Sequence, residues 1–128
     1  MNRKHISSGA PWETKVGYSR AVKVGHYVHV SGTTAAKEGQ IVGKGDAYLQ
    51  AKTILEIIAR ALKEADATLN QVVRTRIYVT NIADWEAVGR AHGEVFAEVR
   101  PASTLVEVKG LIDPDMLVEI EVDAYTGD

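Results

Sequence analysis

The sequence predicts an α+β protein, a two-layer sandwich in which two helices cover one face of a mixed sheet. Two observations carry this. Residues 51–65 and 85–99 place apolar side chains at helical spacing, while five other segments alternate apolar and polar residues as strands do. The order along the chain, ββ-α-β-α-ββ, supplies two helices, enough to cover one sheet face and leave the other open.

Residues 18–24 and 27–31 form the first two strands, joined through Gly25-His26. Residues 37–45 are a glycine-punctuated loop with a short extended piece at 40–42. Asp46 is placed to cap the first helix, whose stripe is Ala51, Ile54, Leu55, Ile58, Ala61, Leu62 and Ala65. Glu56, Arg60 and Glu64, four apart on the other side, read as solvent-facing. The strand over 72–80 sets Val73, Thr75, Ile77 and Val79 against Arg74, Arg76 and Tyr78. Asp84 is placed to cap the second helix, with a stripe of Trp85, Val88, Ala91/His92, Val95, Phe96 and Val99.

Two strands close the chain. In the first, Ala102, Thr104, Val106 and Val108 share one face, with Ser103, Leu105 and Glu107 on the other. In the second, Val118, Ile120, Val122 and Ala124 oppose Glu119, Glu121 and Asp123. The open sheet face is expected to carry Arg74, Arg76, Tyr78, Ser103, Leu105, Glu107, Glu119 and Glu121, with Tyr27 and His29 beside them. Leucine and tyrosine among charges suit a wet oligomer interface better than free solvent.

A chain of 128 residues is expected to be one domain, 1–128, burying roughly two-thirds of its unfolded surface. No apolar run is long enough for a membrane span, and no signal segment opens the chain, so a cytoplasmic location is the default. The absence of cysteine removes disulfides and thiolate chemistry. A net charge of −2 with no basic patch argues against general nucleic-acid binding. His26 and His29 point to opposite faces, His92 reads as a packed residue, and His5 lies in an N-terminal stretch expected to be mobile. No metal and no cofactor are predicted from such a set. The Gly43-Lys-Gly-Asp46 run lacks the spacing of a phosphate loop.

Arg100-Pro-Ala-Ser-Thr-Leu-Val-Glu-Val108 and Met116-Leu-Val-Glu-Ile-Glu-Val-Asp-Ala124 resemble the end of the RidA/YjgF family of imine deaminases. That family's pattern runs Pro-Ala-Arg-Ser-x-Val-Glu-Val and then Ile/Val-Glu-Ile-Glu, and the likeness spans about residues 18–124. It implies a chorismate-mutase-like fold and a homotrimer whose sheets face a central barrel, with active sites for a small metabolite between subunits. In active members an arginine pairs with the carboxylate of a 2-imino or enamino acid. A carbonyl of a Ser-Gly turn holds the nitrogen, and a strand glutamate positions water. The resemblance puts the glutamate at Glu119, the turn at Ser31-Gly32 and a pocket tyrosine at Tyr18. The arginine's place is taken by Ser103, and Ser103, Thr104 and Leu105 are the candidate substrate contacts on that strand. Ser31-Gly-Thr-Thr-Ala35 departs from the family's Ser-Gly-Gln-x-Pro, and Arg90-Ala-His-Gly-Glu-Val-Phe96 from its Asn-x-x-Tyr-x-x-Phe.

A guanidinium grips a carboxylate through two parallel charge-assisted hydrogen bonds, which a hydroxyl cannot reproduce. Losing that contact costs on the order of 2–5 kcal/mol of substrate binding unless another cation compensates. The candidates are Arg20, Arg76, Arg90 and Lys109. Arg76 equally suits a structural pairing with Glu107, Glu119 or Glu121, and Arg90 an exposed helix pairing with Glu86 or Glu94. Glu119 fits a general base for C=N hydrolysis, or a structural partner of a strand arginine. Neither Ser103 nor Thr104 has a histidine or lysine placed by sequence to activate it.

Two functional classes stay open. One is a hydrolase acting on C–N bonds, deaminating an enamine or imine. The other is a non-catalytic trimer that holds a small ligand. Endoribonuclease or translation-inhibitor activity, the older label of the family, ranks third on charge grounds.

Overall fold

The computed structural model describes residues 2–127, so the two terminal residues of the domain expected over 1–128 lie outside it. Its elements are β1 (Arg3–Ile6), α1 (Pro11–Val16), β2 (Ala21–Val24), β3 (Tyr27–Thr33), β4 (Ala36–Lys37), β5 (Gln40–Ile41), α2 (Ala47–Glu64), β6 (Val72–Val79), α3 (Trp85–Phe96), β7 (Ala102–Glu107) and β8 (Val118–Tyr125). The main sheet runs β1-β2-β3-β8-β6-β7, while β4 and β5 form a separate small hairpin. Among the described residues, only β6 and β7 pair in parallel; the other neighbours in the main sheet are antiparallel. The mixed α+β architecture is therefore as the pattern predicted.

The core lies between the sheet and the two long helices. Ile54, Leu55, Ile58 and Leu62 of α2 and Val88 and Phe96 of α3 meet Val28, Val30, Ile77, Val79, Val118, Ile120 and Val122 of the strands. Each such side chain stabilises the fold by about 1.5–3 kcal/mol. Asp46 caps α2 by accepting from the Leu49 amide at 3.0 Å. Asp84 makes no such bond; Asn81 caps the preceding 3-10 turn instead, accepting from the Ala83 amide at 3.0 Å. Trp85 is exposed rather than part of the buried stripe.

The N-terminal segment is ordered against the expectation of mobility. β1 pairs along β2, and His5 hydrogen-bonds Ser19 Oγ at 3.0 Å. Pro11 opens α1, and Gly17 ends it in the left-handed conformation at φ 89°. Four residues without alternation and one helical turn and a half leave too short a pattern to read.

Two bulges reset the faces. At Val72/Arg74 one extra residue turns Val72 into the core and pushes Val73 out. Between Val30 and Thr33 another keeps both of those residues buried and lifts Ser31-Gly32 from the ladder.

A further correction concerns β7. In its register Ser103 pairs with Thr75 and Leu105 with Ile77, so Ser103, Leu105 and Glu107 face the helices, while Thr104 and Val106 lie on the open face. Thr75 Oγ1 donates to Ser103 Oγ at 2.7 Å and meets His92 Nε2 at 2.9 Å. Leu105 packs against the core, and Glu107 accepts from the Ile82 amide at 2.8 Å. An edge strand takes its face from its one neighbour, and its own alternation is a weak guide.

Fully buried Gln50 ties the returning chain to α2. It donates to the carbonyls of Gly43 at 3.0 Å and Asp115 at 2.9 Å, and accepts from the Leu117 amide at 2.9 Å. The loop before β8 is held there, and it forms one wall of the site.

Candidate functional site

A cavity of about 530 Å³ opens at the β3 bulge, bounded by α1, β8 and the loop before β8. Tyr18, Ser31, Gly32 and Glu119 line it together, with Arg20 and Glu121. Trp12, Val16, Ile57, Ile112 and Met116 supply its apolar walls.

Glu119 reaches the cavity because β8 alternates. Val118 and Ile120 fill the core, so Glu119 and Glu121 stand on the opposite face. The side chain of Glu119 lies over Gly32. A β-carbon at Gly32 would run into the Glu119 carboxyl, 3.0 Å from Cδ and 3.3 Å from Cγ. Gly32 does not take positive φ, so the space above it, not its backbone conformation, demands glycine. Burial pushes the Glu119 carboxyl above the ordinary carboxylate range, and the charge of Glu121 adds to this against the pull of Arg20. A half-buried carboxyl tuned upward in a cleft is suited to general acid–base work.

Glu121 accepts from the Tyr78 hydroxyl at 2.5 Å. That bond, followed by burial and the Glu121 charge, raises the phenol's pKa. Arg76 does not pair with Glu107, Glu119 or Glu121. It donates to Asp123 at 3.0 Å, and Asp123 also meets His29 at 2.7 Å.

Behind the cavity lies a buried ionic cluster anchored in α1. Arg20 donates to the Gly32 carbonyl at 2.8 Å, to Thr33 Oγ1 at 2.9 Å and to the Tyr18 hydroxyl at 3.4 Å. Its Nε lies 3.9 Å from buried Glu13, which receives hydrogen bonds from Ser7 Oγ, the Ser8 amide and Ser8 Oγ. Burial raises the Glu13 pKa, but the serine hydrogen bonds and Arg20 outweigh it and hold the group below its ordinary range. Ser31 Oγ is tied to the Ser19 carbonyl at 2.6 Å, and the Ser31 carbonyl accepts from Thr33 Oγ1 at 2.8 Å.

The remaining expected site residues lie elsewhere in the protomer. Ser103 and Leu105 sit on the helix side of the edge strand, and Thr104 pairs in register with Arg76 on the open face. Arg90 is exposed on α3, stacked 4.4 Å from the centroid of the Tyr48 ring, whose hydroxyl donates to Glu94 at 2.5 Å. The cluster of Ser7, Ser8, Glu13 and Trp12 went unread in the sequence. Pro11 after Ser7-Ser8-Gly9 was the available signal of a helix start. Among the described residues, no group of three His, Cys, Asp or Glu side chains converges to hold a metal, and no helix is long and apolar enough to cross a membrane.

Residues 9–126 match the family model described as Endoribonuclease L-PSP. An uncharacterized Streptomyces coelicolor protein is 44% identical over 124 residues, 97% of this chain and 92% of the relative. The 3-aminoacrylate deaminase RutC of Acinetobacter baylyi is 38% identical over 109 residues, 84% of this chain and 86% of that one. A Mycobacterium tuberculosis crystal structure, described as a member of the YjgF/YER057c/UK114 family, superposes with a TM-score of 0.89 at 48% identity. That match covers 97% of this chain and 99% of the other.

Proposed function

This chain belongs to the Endoribonuclease L-PSP family, the RidA/YjgF group, and from that premise we propose that it hydrolyses an enamine- or imine-type metabolite in the Glu119 cavity. The observation that carries this is the half-buried Glu119 carboxyl, pushed upward in pKa and facing open space over Gly32. Glu119 takes a proton from water as the oxygen attacks the C=N carbon. It returns a proton to nitrogen as the carbinolamine collapses to a carbonyl and ammonia. An enamine first takes a proton on carbon and gives one up from nitrogen, which converts it to the imine without net change in protons. General acid–base catalysis of this kind contributes typically 10²–10⁴-fold. The relative named as a 3-aminoacrylate deaminase supports the reaction class.

The proposal extends to a cytoplasmic homotrimer of one-domain subunits. Ser103, Thr104, Leu105 and Arg90 lie outside this protomer's cavity, so a role for them requires a neighbouring copy to present them.

The test is the hydrolysis of 2-iminopropanoate and 2-iminobutanoate, generated by an amino-acid oxidase and trapped with semicarbazide, by wild type, Glu119→Gln and Ser103→Arg. Loss of wild-type turnover in Glu119→Gln, with the oligomer intact, is the expected result. Equal turnover by the two proteins refutes Glu119 as the acid–base group. A non-catalytic ligand-binding trimer is the second reading, favoured by the full engagement of Arg20. It predicts silence from all three proteins.

A further inference from the structure

No histidine neighbours Ser103 in the sequence, but the fold supplies one. Ser103 of β7 pairs in register with Thr75 of β6, and α3 brings His92 onto the same threonine. Thr75 Oγ1 lies 2.7 Å from Ser103 Oγ and 2.9 Å from His92 Nε2. Thr75 is fully buried, and His92 is half-buried with its ring 4.7 Å from that of Phe96. Ser103 is exposed. A buried threonine hydroxyl needs one partner to be satisfied. This one has two, one titratable and the other exposed where the resemblance puts the substrate-gripping arginine.

The single hydrogen of the Thr75 hydroxyl makes the three groups act together. When Thr75 donates to Ser103, the imidazole must meet Thr75 Oγ1 with an N–H at Nε2. Ser103 then keeps its own hydrogen free to donate outward. With Nε2 bare the sense reverses: Thr75 donates to His92, Ser103 donates to Thr75, and Ser103 offers only lone pairs outward. Both senses fit the same two distances, so protonation at Nε2 selects between them. Hydrogen bonds in such a chain polarise one another, which strengthens the terminal donor.

Burial, and no neighbouring charge, lowers the His92 pKa. Ionisable groups on the elements packed around it are engaged elsewhere. Glu107 of β7 accepts from the Ile82 amide, Tyr48 and Lys52 of α2 meet Glu94, and Arg90 stacks on Tyr48. Arg74 and Arg76 of β6 alternate with buried Thr75 and belong to the open face. Whatever a neighbouring copy adds around Ser103, this chain of three lies within one subunit.

Resting on the hydrolase reading, we infer that Ser103, Thr75 and His92 form one hydrogen-bond relay, in which a proton on His92 Nε2 holds the Ser103 hydroxyl as a donor to substrate in the site shared with a neighbouring copy. Thr75 and His92 are positioning residues that act through Ser103. The imidazolium carries both ring protons and fixes the donor sense; the neutral ring carries one and allows either.

Two arms test this on the intact protein. The first follows the His92 ring nitrogens by NMR through a pH titration. Ser103→Ala frees the Thr75 hydrogen to turn to His92, so the neutral ring is expected to shift toward the Nδ1–H tautomer and its pKa to fall. The same substitution made in a Thr75→Val background is expected to leave His92 unchanged. Ser103 is exposed, so its alanine variant retains the fold even if Thr75→Val does not. The second arm measures KM for 2-iminopropanoate against pH. Wild-type KM is expected to fall as pH falls through the His92 titration. Ser103→Ala and Thr75→Val are each expected to raise KM about three- to tenfold, the loss of one hydrogen bond, and to remove that pH dependence while kcat changes less. The double variant is expected to be no worse than either single one. Glu119 titrates in every variant and cancels from the comparison. A His92 titration identical in wild type and Ser103→Ala overturns the relay, as does a pH dependence of KM that survives in Thr75→Val. If no variant consumes the imine, the hydrolase reading fails, and the His92 resonances alone decide the relay.

Discussion

Replacing Gly32 by alanine separates the folding role of the bulge from its role at the site. The backbone there is open to an L-residue, so no strain arises from φ. The atoms nearest the new methyl group all belong to the Glu119 side chain, 3.0 Å to Cδ and 3.3 Å to Cγ, with the carboxylate oxygen nearer still. The far end of a glutamate can swing aside, at a cost of about 0.5–1.5 kcal/mol if it leaves its rotamer. Alanine lowers the entropy of the unfolded chain, which returns about 0.4–1 kcal/mol. The two effects nearly cancel, so stability is expected to stay within about 1 kcal/mol of wild type, a Tm change of no more than about 4 °C. Activity behaves differently, because the displaced carboxyl is the proposed acid–base group, and its loss corresponds to about 10²–10⁴ in rate. Urea unfolding and the semicarbazide-coupled assay on Gly32→Ala give both quantities. Turnover within about threefold of wild type, in a variant as stable as wild type, would falsify the placement of Glu119 as the determinant of rate.

Glu13→Ala removes the carboxylate beside buried Arg20 and is expected to cost about 2–4 kcal/mol by chemical denaturation. Because the folded state holds the Glu13 pKa low, the wild-type advantage is full above the ordinary glutamate range. It fades as pH falls through the lowered value, so wild type and variant converge in acid. Glu119→Gln has the opposite sign. The folded state binds the Glu119 proton more tightly than the unfolded chain, so ionising it destabilises wild type as pH rises. The variant should gain in relative Tm as pH rises from the ordinary glutamate range through the raised folded-state value, and a difference that stays flat with pH would contradict the upward shift. Gln50→Ala removes three hydrogen bonds made by a fully buried side chain, to the Gly43 and Asp115 carbonyls and the Leu117 amide, and is expected to cost about 2–4 kcal/mol. In any variant that still folds, KM should rise more than kcat falls, because the loop carrying Ile112 and Met116 loses its anchor.

Long amphipathic elements were legible in the chain itself. The α2 stripe from Ala51 to Leu62 and the alternation of β8 depend on local periodicity, and both elements sit centrally enough for burial to enforce that pattern. The family resemblance rested on residues 100–108 and 116–124, and it implied grouping Glu119 with Ser31-Gly32 and Tyr18, which line one cavity. Tertiary structure decided the rest. Bulges at Val72/Arg74 and between Val30 and Thr33 add single residues that no alternation announces, and each reverses which side chains face the core. The edge strand β7 takes its orientation from Thr75 and Ile77, so Ser103 faced the helices although its neighbours suggested otherwise. The engagement of Arg20 by Gly32, Thr33, Tyr18 and Glu13 joins residues from α1, β3 and the turn before β2. Local sequence carries the period of an element; the partner of a buried charge is set by chain segments that meet only when the sheet has formed.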